Sequence, residues 1–254
     1  MKKMIQRFLN RYGYHIVKFD RNNPPWEYPA DFDGELRTII EKVKPYTMTL
    51  HERLYANCEA VRYITRHQVE GALVECGVWR GGSTMAMLQT LLNRQDTSRE
   101  VYLYDTYEGM SEPGREDKAF FGDEAAVMMK NSDRNDPRSV WCYASLEDVQ
   151  RNVLSTGYPA DKIHFIKGKV EDTIPAAIPE KIALLRLDTD WYESTRHELQ
   201  HLYPRLQKGG VLLIDDYGHW EGARKAVDEY IREKDLQLLL CRTDYSGRIA
   251  LKPS

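Results

Sequence analysis

The stretch Leu213-Ile214-Asp215-Asp216-Tyr217 ends a run of apolar residues with two adjacent carboxylates. An earlier, mostly apolar run over 182–187 is followed in the same way by Asp188 and Asp190. Apolar runs of this length, bounded by turn-forming residues, are typical of strands buried on both faces of a parallel sheet. Ligands of open α/β sheets bind outside the carboxyl ends of the strands. We therefore predict that the two pairs of acids meet in one site at that edge.

Four carboxylates that meet at one edge repel each other unless a cation joins them. Asp188, Asp215 and Asp216 offer hard oxygen ligands without His or Cys, which favours Mg²⁺ and also suits Mn²⁺ or Ca²⁺. Asp190 would point to the same side as Asp188 if the strand continued, within reach of a metal-bound hydroxyl as a general base. The alternative is that these acids cap helices or pair with cations, Arg186 among them.

Strand-like runs alternate with helical patterns along the rest of the chain. Such alternation indicates an α/β protein with a doubly wound, mostly parallel sheet. The last two runs flank Asp244-Tyr245-Ser246-Gly247 and indicate an antiparallel C-terminal hairpin. After the fourth strand we expect a helix with Thr195 as its N-cap and Glu198 as the capping-box partner. The predicted strands are 72–76, 101–104, 162–166, 182–187, 211–214, 236–241 and 248–251.

A glycine-rich turn over 77–83 joins the first strand to a helix. Its glycines let a ligand approach the backbone, and the helix N-terminus offers free N–H groups. Asp105 ends the next strand, near the spacing expected of an acid that binds a ribose, so the pair fits NAD or S-adenosylmethionine. We favour S-adenosylmethionine, because the turn departs from G-x-G-x-x-G and because Glu75 would oppose a diphosphate but attract an ammonium. In such a fold the adenine would lie beside Gly168.

The chain is expected to form two parts, an N-terminal helical cap over 1–70 and a cofactor-binding domain over 71–254. The polar stretch 107–140 is long for a connection, and such insertions are often lids. Residues 1–19 would form a short basic amphipathic helix. This helix could contact a membrane surface or a glycan-assembly complex. We expect it instead to pack on its own domain or on a second subunit, because it is short and lacks tryptophan.

The composition limits the class of protein. The chain has 254 residues and a net charge of −3, which argues against nucleic acid as a partner. Its four cysteines form no C-x-x-C pair, and we see no membrane span or signal peptide, so we expect a cytoplasmic protein. His197-Glu198-Leu199-Gln200-His201 matches H-E-x-x-H, but no third zinc ligand is evident and the leucines of this helix face inward. We therefore reject a zinc protease.

His219 and Trp220 directly follow the second acid pair. His219 would contact the substrate or act as an additional base, although a lone His at a helix start is as often a surface residue. Trp220 could stack on a sugar ring, but its place on an apolar helical stripe favours core packing. Tyr107, Trp191 and Tyr192 are further aromatic candidates for a substrate wall.

Three motifs in order resemble a known family: 74–83, Leu187-Asp188-Thr189-Asp190, and 214–227, which contains both acids of the second pair. They resemble the macrocin O-methyltransferase family, whose metal-dependent members methylate sugars of macrolide and aminocoumarin antibiotics. The resemblance implies a class I S-adenosylmethionine fold. It also implies that Asp188, Asp215 and Asp216 bind Mg²⁺ and that Asp190 is the base. It also implies oligomers in which the N-terminal segment helps close the site. The residues expected at the methyl donor are Thr47, Met48, Glu75, Gly77, Val78, Trp79, Ser83, Asp105, Gly168 and Asp188.

These expectations combine into one function. We expect a Mg²⁺-dependent O-methyltransferase that moves a methyl group from S-adenosylmethionine to a sugar hydroxyl, with Asp190 and His219 as catalytic residues. The acceptor would be a glycan, a nucleotide sugar or a glycosylated natural product, since the segments expected to shape its pocket match no substrate pattern. The first alternative is a catechol- or caffeoyl-type enzyme that methylates a phenol. The second is a nucleotide-binding module without catalysis in glycan assembly.

Overall fold

The computed structural model describes residues 28–136 and 139–253, so the helix predicted over 1–19 lies outside the described residues. The strands are β1 (Ala72–Cys76), β2 (Val101–Asp105), β3 (Ile163–Lys167), β4 (Ile182–Leu187), β5 (Leu206–Ile214), β6 (Cys241–Arg242) and β7 (Arg248–Leu251). They form one sheet in the order β3-β2-β1-β4-β5-β7-β6. Strands β1 to β5 run parallel, and β7 is antiparallel to both of its neighbours. The predicted mostly parallel α/β sheet with an antiparallel C-terminal hairpin is confirmed.

Helices cover both faces of this sheet. Leu73 packs in one core with the helices before and after β1, whereas Val74 packs in a second core with the helices after β4 and β5, because side chains alternate along a strand. Across the described residues, we find no helix long and apolar enough to cross a membrane. The helices are α1 (Gly34–Val43), α2 (His51–Arg66), α3 (Gly82–Asn93), α4 (Ala125–Lys130), α5 (Leu146–Leu154), α6 (Val170–Thr173), α7 (Tyr192–Leu202) and α8 (Glu221–Glu233).

The central strands β1 and β4 are buried along their whole length. Parallel strands covered on both faces exclude water from both sets of side chains, which explains their nearly continuous apolar sequences. Glu75 and Arg186 are the charged residues of these strands. They stand opposite each other in the ladder, and Arg186 Nη1 donates to Glu75 Oε1 at 2.7 Å. Such direct bonds offset the cost of removing two buried charges from water.

Helix α7 begins earlier than the capping-box pattern predicts. Tyr192 is its first residue, so Thr195 and Glu198 lie inside the helix, where both are buried. Glu198 instead accepts a hydrogen bond from the Thr189 hydroxyl at 2.9 Å, in the loop after β4. The predicted capping box is therefore wrong, because a contact with this loop uses the carboxylate that the cap would need.

The strand predicted over 236–241 is wrong in its extent, since sheet pairing begins only at β6. Leu236, Leu238 and Leu240 pack against the core beside α8, while Leu239 between them is 79% exposed. The alternation of apolar residues therefore reports which side chains face the core. It does not require the backbone to pair with a neighbouring strand.

The helices before the sheet share its core. Leu36 of α1 and Val61 of α2 belong to the same cluster of buried residues as Leu73 of β1. This packing brings the start of α2 to the carboxyl edge of the sheet, where Thr47 and the residues that follow border a cavity. The division into a cap over 1–70 and a domain over 71–254 stays a prediction.

Candidate active site

A cavity of about 550 Å³ opens at the carboxyl ends of the parallel strands. Its volume suits a small-molecule site, and its place is the one expected in an open α/β sheet. Every residue that the sequence predicts for the site lines this cavity: Thr47, Met48, Glu75, Gly77, Val78, Trp79, Ser83, Asp105, Gly168, Asp188, Asp190, Asp215, Asp216 and His219.

Backbone bonds between neighbouring strands hold the acids at this edge. The Asp188 N–H donates to the Cys76 carbonyl and the Asp215 N–H to the Leu187 carbonyl, each at 2.9 Å. Both acids therefore extend the sheet pairing just past the strand ends. Gly77 has a φ of +80°, and a Cβ there would collide with the Asp188 carbonyl oxygen. Glycine is required because the turn after β1 passes so close to the first acid.

Three carboxylates meet where the sequence predicts a metal. Asp188, Asp215 and Asp216 each present an oxygen, and these oxygens lie within 4.8 Å of one another. Oxygen ligands alone suit Mg²⁺, Mn²⁺ or Ca²⁺. Among the described residues, His197 and His201 take no part in such a ligand group. The chemistry of the three donors fits a hard divalent cation.

Two arginines offset part of the negative charge. Arg186 donates to Asp188 Oδ2 at 2.7 Å and to Asp215 Oδ1 at 2.6 Å. Arg53 of α2 pairs with the other Asp215 oxygen and, through Nε, with Asp244 at 2.9 Å. Burial alone would raise the pKa of Asp215, but the two arginines hold it below its usual value. The sequence indicates Arg186 as a possible partner of the acids, whereas nothing in the helical pattern around Arg53 marks that residue.

The carboxyl groups of Asp190 and Asp216 are neighbours in the cavity, and each influences the pKa of the other. Burial and the charge of Asp188 raise the pKa of Asp190 to about 7. Burial and the charge of Asp190 raise the pKa of Asp216 well above its usual value. Asp190 reaches the cavity from a left-handed turn with a φ of 68°, not from a continued strand as the alternation assumed. Aspartate tolerates this conformation better than most residues, and such backbone strain is frequent at functional sites.

Asp105 holds the glycine turn in place. Its Oδ2 accepts hydrogen bonds from the N–H groups of Val78 at 2.7 Å and Trp79 at 3.1 Å. Its Oδ1 accepts from the Tyr107 N–H at 2.7 Å. Burial raises the pKa of Asp105, although these N–H donors oppose the rise. The acid expected to bind a ribose therefore also fixes the backbone on which a ligand would rest.

Glu75 lies beneath the turn and is buried. Arg186 Nη1 donates to its Oε1 at 2.7 Å, and the Thr84 hydroxyl donates to its Oε2. Burial raises the pKa of Glu75, and Arg186 opposes that rise. Both carboxylate oxygens of Glu75 therefore have protein partners. Because Glu75 already pairs with Arg186, only part of its negative charge would be left to attract the ammonium of a ligand.

The segment before α2 lies directly over the glycine turn. A Cβ on Gly82 would lie 2.5 Å from the Tyr46 carbonyl oxygen and 2.6 Å from Thr47 Cβ. Across the cavity, the Gly168 N–H donates to the Asp105 carbonyl at 3.0 Å. The residues expected at the methyl donor thus come from five separate segments around one space: the segment before α2, β1 with its glycine turn, and the ends of β2, β3 and β4.

His219 and Trp220 have different surroundings. His219 lines the cavity, and its Nδ1 lies 3.3 Å from the Tyr245 hydroxyl. Its backbone N–H donates to the Asp216 carbonyl at 3.0 Å. Burial lowers the pKa of His219, which favours the neutral ring. Trp220 is only 4% exposed and meets the Trp191 ring edge to face at 4.9 Å. This burial favours the core-packing alternative for Trp220.

The other aromatic candidates support the scaffold. Tyr107 is buried, and its hydroxyl donates to the Leu103 carbonyl at 3.1 Å. The Tyr192 hydroxyl donates to Glu229 of α8 at 2.7 Å. The predicted insertion over 107–140 contributes instead small and apolar side chains to the cavity wall, and its role as a lid stays a prediction. The lining residues of this stretch are Gly109, Met110, Ser111, Met128, Ser139 and Val140.

The Macrocin-O-methyltransferase (TylF) family model matches residues 15–250, nearly the whole chain. The chain belongs to the macrocin O-methyltransferase family. It is 37% identical over 185 residues to an 8-demethyl-8-(2,3-dimethoxy-alpha-L-rhamnosyl)-tetracenomycin-C 4'-O-methyltransferase of Streptomyces olivaceus, covering 73% of this chain and 67% of that relative. It is 34% identical over 230 residues to the mycinamicin III 3''-O-methyltransferase of Micromonospora griseorubida, covering 91% of this chain and 85% of that relative.

Solved structures agree on the fold. The O-methyltransferase NovP matches with a TM-score of 0.72 at 30% identity, covering 82% of this chain and 83% of that one. The calicheamicin methyltransferase CalS11 matches with a TM-score of 0.55 at 14% identity, covering 94% and 98%, a likeness that shows the fold alone. The predicted class I methyltransferase fold is confirmed.

Family membership decides between the two cofactors that the glycine turn left open. The macrocin O-methyltransferase family depends on S-adenosylmethionine, so the preference for this cofactor over NAD is confirmed. The prediction of a methyltransferase is confirmed with it, against the alternative of a binding module without catalysis.

Proposed function

We propose that this macrocin O-methyltransferase transfers a methyl group, with the help of Mg²⁺, to a sugar hydroxyl of a glycosylated small molecule. The observation that carries the proposal is the convergence of Asp188, Asp215 and Asp216 in the same cavity as the glycine turn, with Asp190 beside them. A metal site and a methyl-donor site in one cavity are what a metal-assisted transfer requires.

The residues of the glycine turn would hold the donor. Ser83 lies in the first turn of α3, where free N–H groups favour a carboxylate such as that of the methionine moiety. Asp105 ends β2 beside the turn, where it would face a ribose. Thr47 and Met48 would cover the donor from the segment before α2, and Gly168 would lie beside the adenine.

Asp188, Asp215 and Asp216 would hold the metal through carboxylate oxygens. When bound, Mg²⁺ supplies positive charge that lowers the pKa of a hydroxyl and stabilises its oxygen anion. Asp190 would accept the hydroxyl proton on a carboxylate oxygen, since its carboxyl adjoins the metal group. The sugar oxygen would then form a bond to the methyl carbon as the carbon–sulfur bond of S-adenosylmethionine breaks, and S-adenosylhomocysteine would leave. His219, on the same side of the cavity, would contact the acceptor.

The relatives favour a sugar over a phenol as acceptor. The tetracenomycin and mycinamicin enzymes are named for methylation at positions of a glycosylated natural product. A sugar hydroxyl is far less acidic than a phenol, so it needs both the metal and a base, and this cavity contains a candidate for each.

The proposal is tested by methyl transfer to a panel of glycosides, nucleotide sugars and phenols, measured as S-adenosylhomocysteine release with Mg²⁺ and with EDTA. We expect turnover of a glycoside that EDTA abolishes and that added Mg²⁺ restores. Full activity in EDTA would reject the metal role, and turnover of phenols alone would reject the sugar acceptor.

Two further expectations stay predictions. The resemblance implies a homo-oligomer, which light scattering coupled to size-exclusion chromatography would measure. The expected cytoplasmic location would be measured by cell fractionation.

A further inference from the structure

Four aromatic rings stand together at the border of the cavity: Phe120, Phe121, His219 and Tyr245. We call these residues the aromatic rim. Phe120 and Phe121 are each 55% exposed, and Tyr245 is 48% exposed. The Phe120 ring centroid lies 5.0 Å from that of Phe121, 5.8 Å from His219 and 6.1 Å from Tyr245. Contiguous exposed apolar surface of this kind marks binding sites more often than scattered apolar residues do.

Backbone hydrogen bonds connect the aromatic rim to Asp216, one of the candidate metal ligands. The Phe120 N–H donates to the His219 carbonyl at 2.8 Å, and Ala119 forms a β-bridge with Trp220. The His219 N–H in turn donates to the carbonyl of Asp216 at 3.0 Å. Two hydrogen bonds therefore connect an exposed phenyl group to a candidate metal ligand. The rim has a defined position relative to any hydroxyl placed at the metal site.

The rim extends the cavity outwards. His219 and Tyr245 line the cavity itself, whereas Phe120 and Phe121 continue the aromatic surface beyond its lining. A sugar bound beside Asp216, with its substituent extending past His219 and Tyr245, would bring that substituent against the two phenylalanines. Aromatic faces favour apolar and planar rings, by burial of area and by stacking.

We propose that the aromatic rim binds an apolar ring system that is carried by the glycoside acceptor, next to the sugar that is methylated. The inference rests on the proposed function and adds the chemical class of the group attached to the sugar. It makes Phe120 and Phe121 residues that determine acceptor specificity.

Charges near the rim favour an uncharged group over the diphosphate of a nucleotide sugar. Lys118 Nζ lies 3.6 Å from a carboxylate oxygen of Glu124, and Nζ of Lys225 in α8 lies 3.0 Å from a carboxylate oxygen of Glu116. Phosphate binding relies on cations or N–H donors directed at its oxygens. Both lysines are already paired with carboxylates, while the rings of Phe120 and Phe121 are exposed.

The test compares one sugar in three forms: its 4-methylumbelliferyl glycoside, its methyl glycoside and its nucleoside diphosphate. The sugar is the one that the acceptor panel identifies. The proteins are the wild type, a double variant with Phe120→Ala and Phe121→Ala, and Leu239→Ala as a matched control. Leu239 is 79% exposed and lies outside the cavity lining. Each kcat/KM is measured from S-adenosylhomocysteine release.

We expect the wild type to prefer the aryl glycoside. The double variant should lower the ratio of aryl to methyl kcat/KM about tenfold, mainly through KM, since two stacked rings contribute roughly this much. The control should keep the wild-type ratio. A variant with Phe120→Tyr and Phe121→Tyr keeps both rings and should retain most of the preference.

Several outcomes would overturn the inference. An unchanged ratio of aryl to methyl kcat/KM in the double variant would overturn it. A loss of kcat/KM confined to the nucleotide sugar would also overturn it, because that result would indicate that the rings bind the nucleobase. Equal wild-type activity on both glycosides would reject the rim but leave the proposed function standing, whereas no activity on any sugar would reject both. Quenching of 4-methylumbelliferyl fluorescence gives a second readout without turnover, and the double variant should weaken it. Thermal unfolding of each variant checks the fold.

Discussion

Arg53 of α2 and Asp215 at the end of β5 form an ion pair across 162 residues of sequence. The guanidinium takes the Asp215 oxygen that Arg186 leaves open, and it also pairs with Asp244. Asp215 is one of the three candidate metal ligands. Arg53 therefore places a positive charge where a divalent cation would bind, and the two must compete for the same carboxylate.

This competition predicts that Arg53→Gln tightens the binding of Mn²⁺, used as a probe for Mg²⁺. Removing the competing charge should lower the Kd about tenfold, equivalent to about 1.4 kcal/mol. Isothermal titration calorimetry or the electron paramagnetic resonance signal of free Mn²⁺ measures the change. Arg62→Gln is the matched control, because Arg62 lies on the same helix and pairs with carboxylates outside the cavity. Unchanged or weaker binding in Arg53→Gln would contradict the competition.

Asp190→Asn tests the base. Asparagine also tolerates the left-handed backbone, so the fold should stand. With a sugar acceptor, kcat should fall about 10²–10⁴-fold, the usual contribution of a general base. Mn²⁺ affinity should stay near that of the wild type, whereas Asp188→Asn should weaken it strongly. A small loss of kcat would indicate an acceptor as acidic as a phenol, with a pKa of about 10.

Gly82→Ala tests the close approach of the segment before α2. The added Cβ would press on the Tyr46 carbonyl and Thr47. We expect a loss of about 1–3 kcal/mol in the free energy of unfolding, as in other overpacked sites. S-adenosylhomocysteine should also bind more weakly, which calorimetry would measure.

The control for this substitution is Gly34→Ala in α1. A Cβ on Gly34 would meet nothing within 4 Å. Alanine is the better helix former, so this variant should gain about 0.5–1 kcal/mol. Equal effects of the two substitutions would show that the contact over Gly82 has no special weight.

Because Asp33 and Glu35 pair with arginines, we expect the protein to lose stability in acid. Hydrogen bonds from Arg62 lower the pKa of Asp33, and Arg62 and Arg94 lower that of Glu35 despite its burial. Because both pKa values are lower in the folded state, their contribution is present above the unfolded pKa values, near 4, and is lost as the pH falls through the folded values.

These groups are partly exposed, so the total should be about 1 kcal/mol or less. Urea unfolding between pH 6 and pH 3 measures it. Arg62→Gln should flatten the dependence on pH in that window. A variant with the same slope as the wild type would assign the acid sensitivity to other carboxylates.

The strand ends show what local sequence can predict. Asp188, Asp215 and Asp216 were placed together from sequence because parallel strands bring their carboxyl ends to one edge, whatever the details of packing. The glycine turn and Asp105 were predictable for the same reason, since both lie at fixed positions of a strand–helix–strand unit.

Other elements were not predictable because a contact outside the pattern decided them. Thr195 and Glu198 have the spacing of a capping box. However, the Thr189 hydroxyl donates a hydrogen bond to Glu198, and the helix begins at Tyr192. The alternating leucines after α8 pack on the core without pairing as a strand. In the first case a side-chain hydrogen bond outweighs the local preference, and in the second case burial does.

The sequence by itself determined the sheet, the family and the acids that end its strands, because these depend on periodicity and on motifs read along the chain. Only the tertiary structure decided that Arg53 pairs with Asp215, that Asp190 enters from a left-handed turn, and that Phe120 stands beside His219. The contacts of Arg53 and Phe120 join residues distant in sequence. They are set by how helices and loops pack on the sheet edge, and no local pattern contains that information.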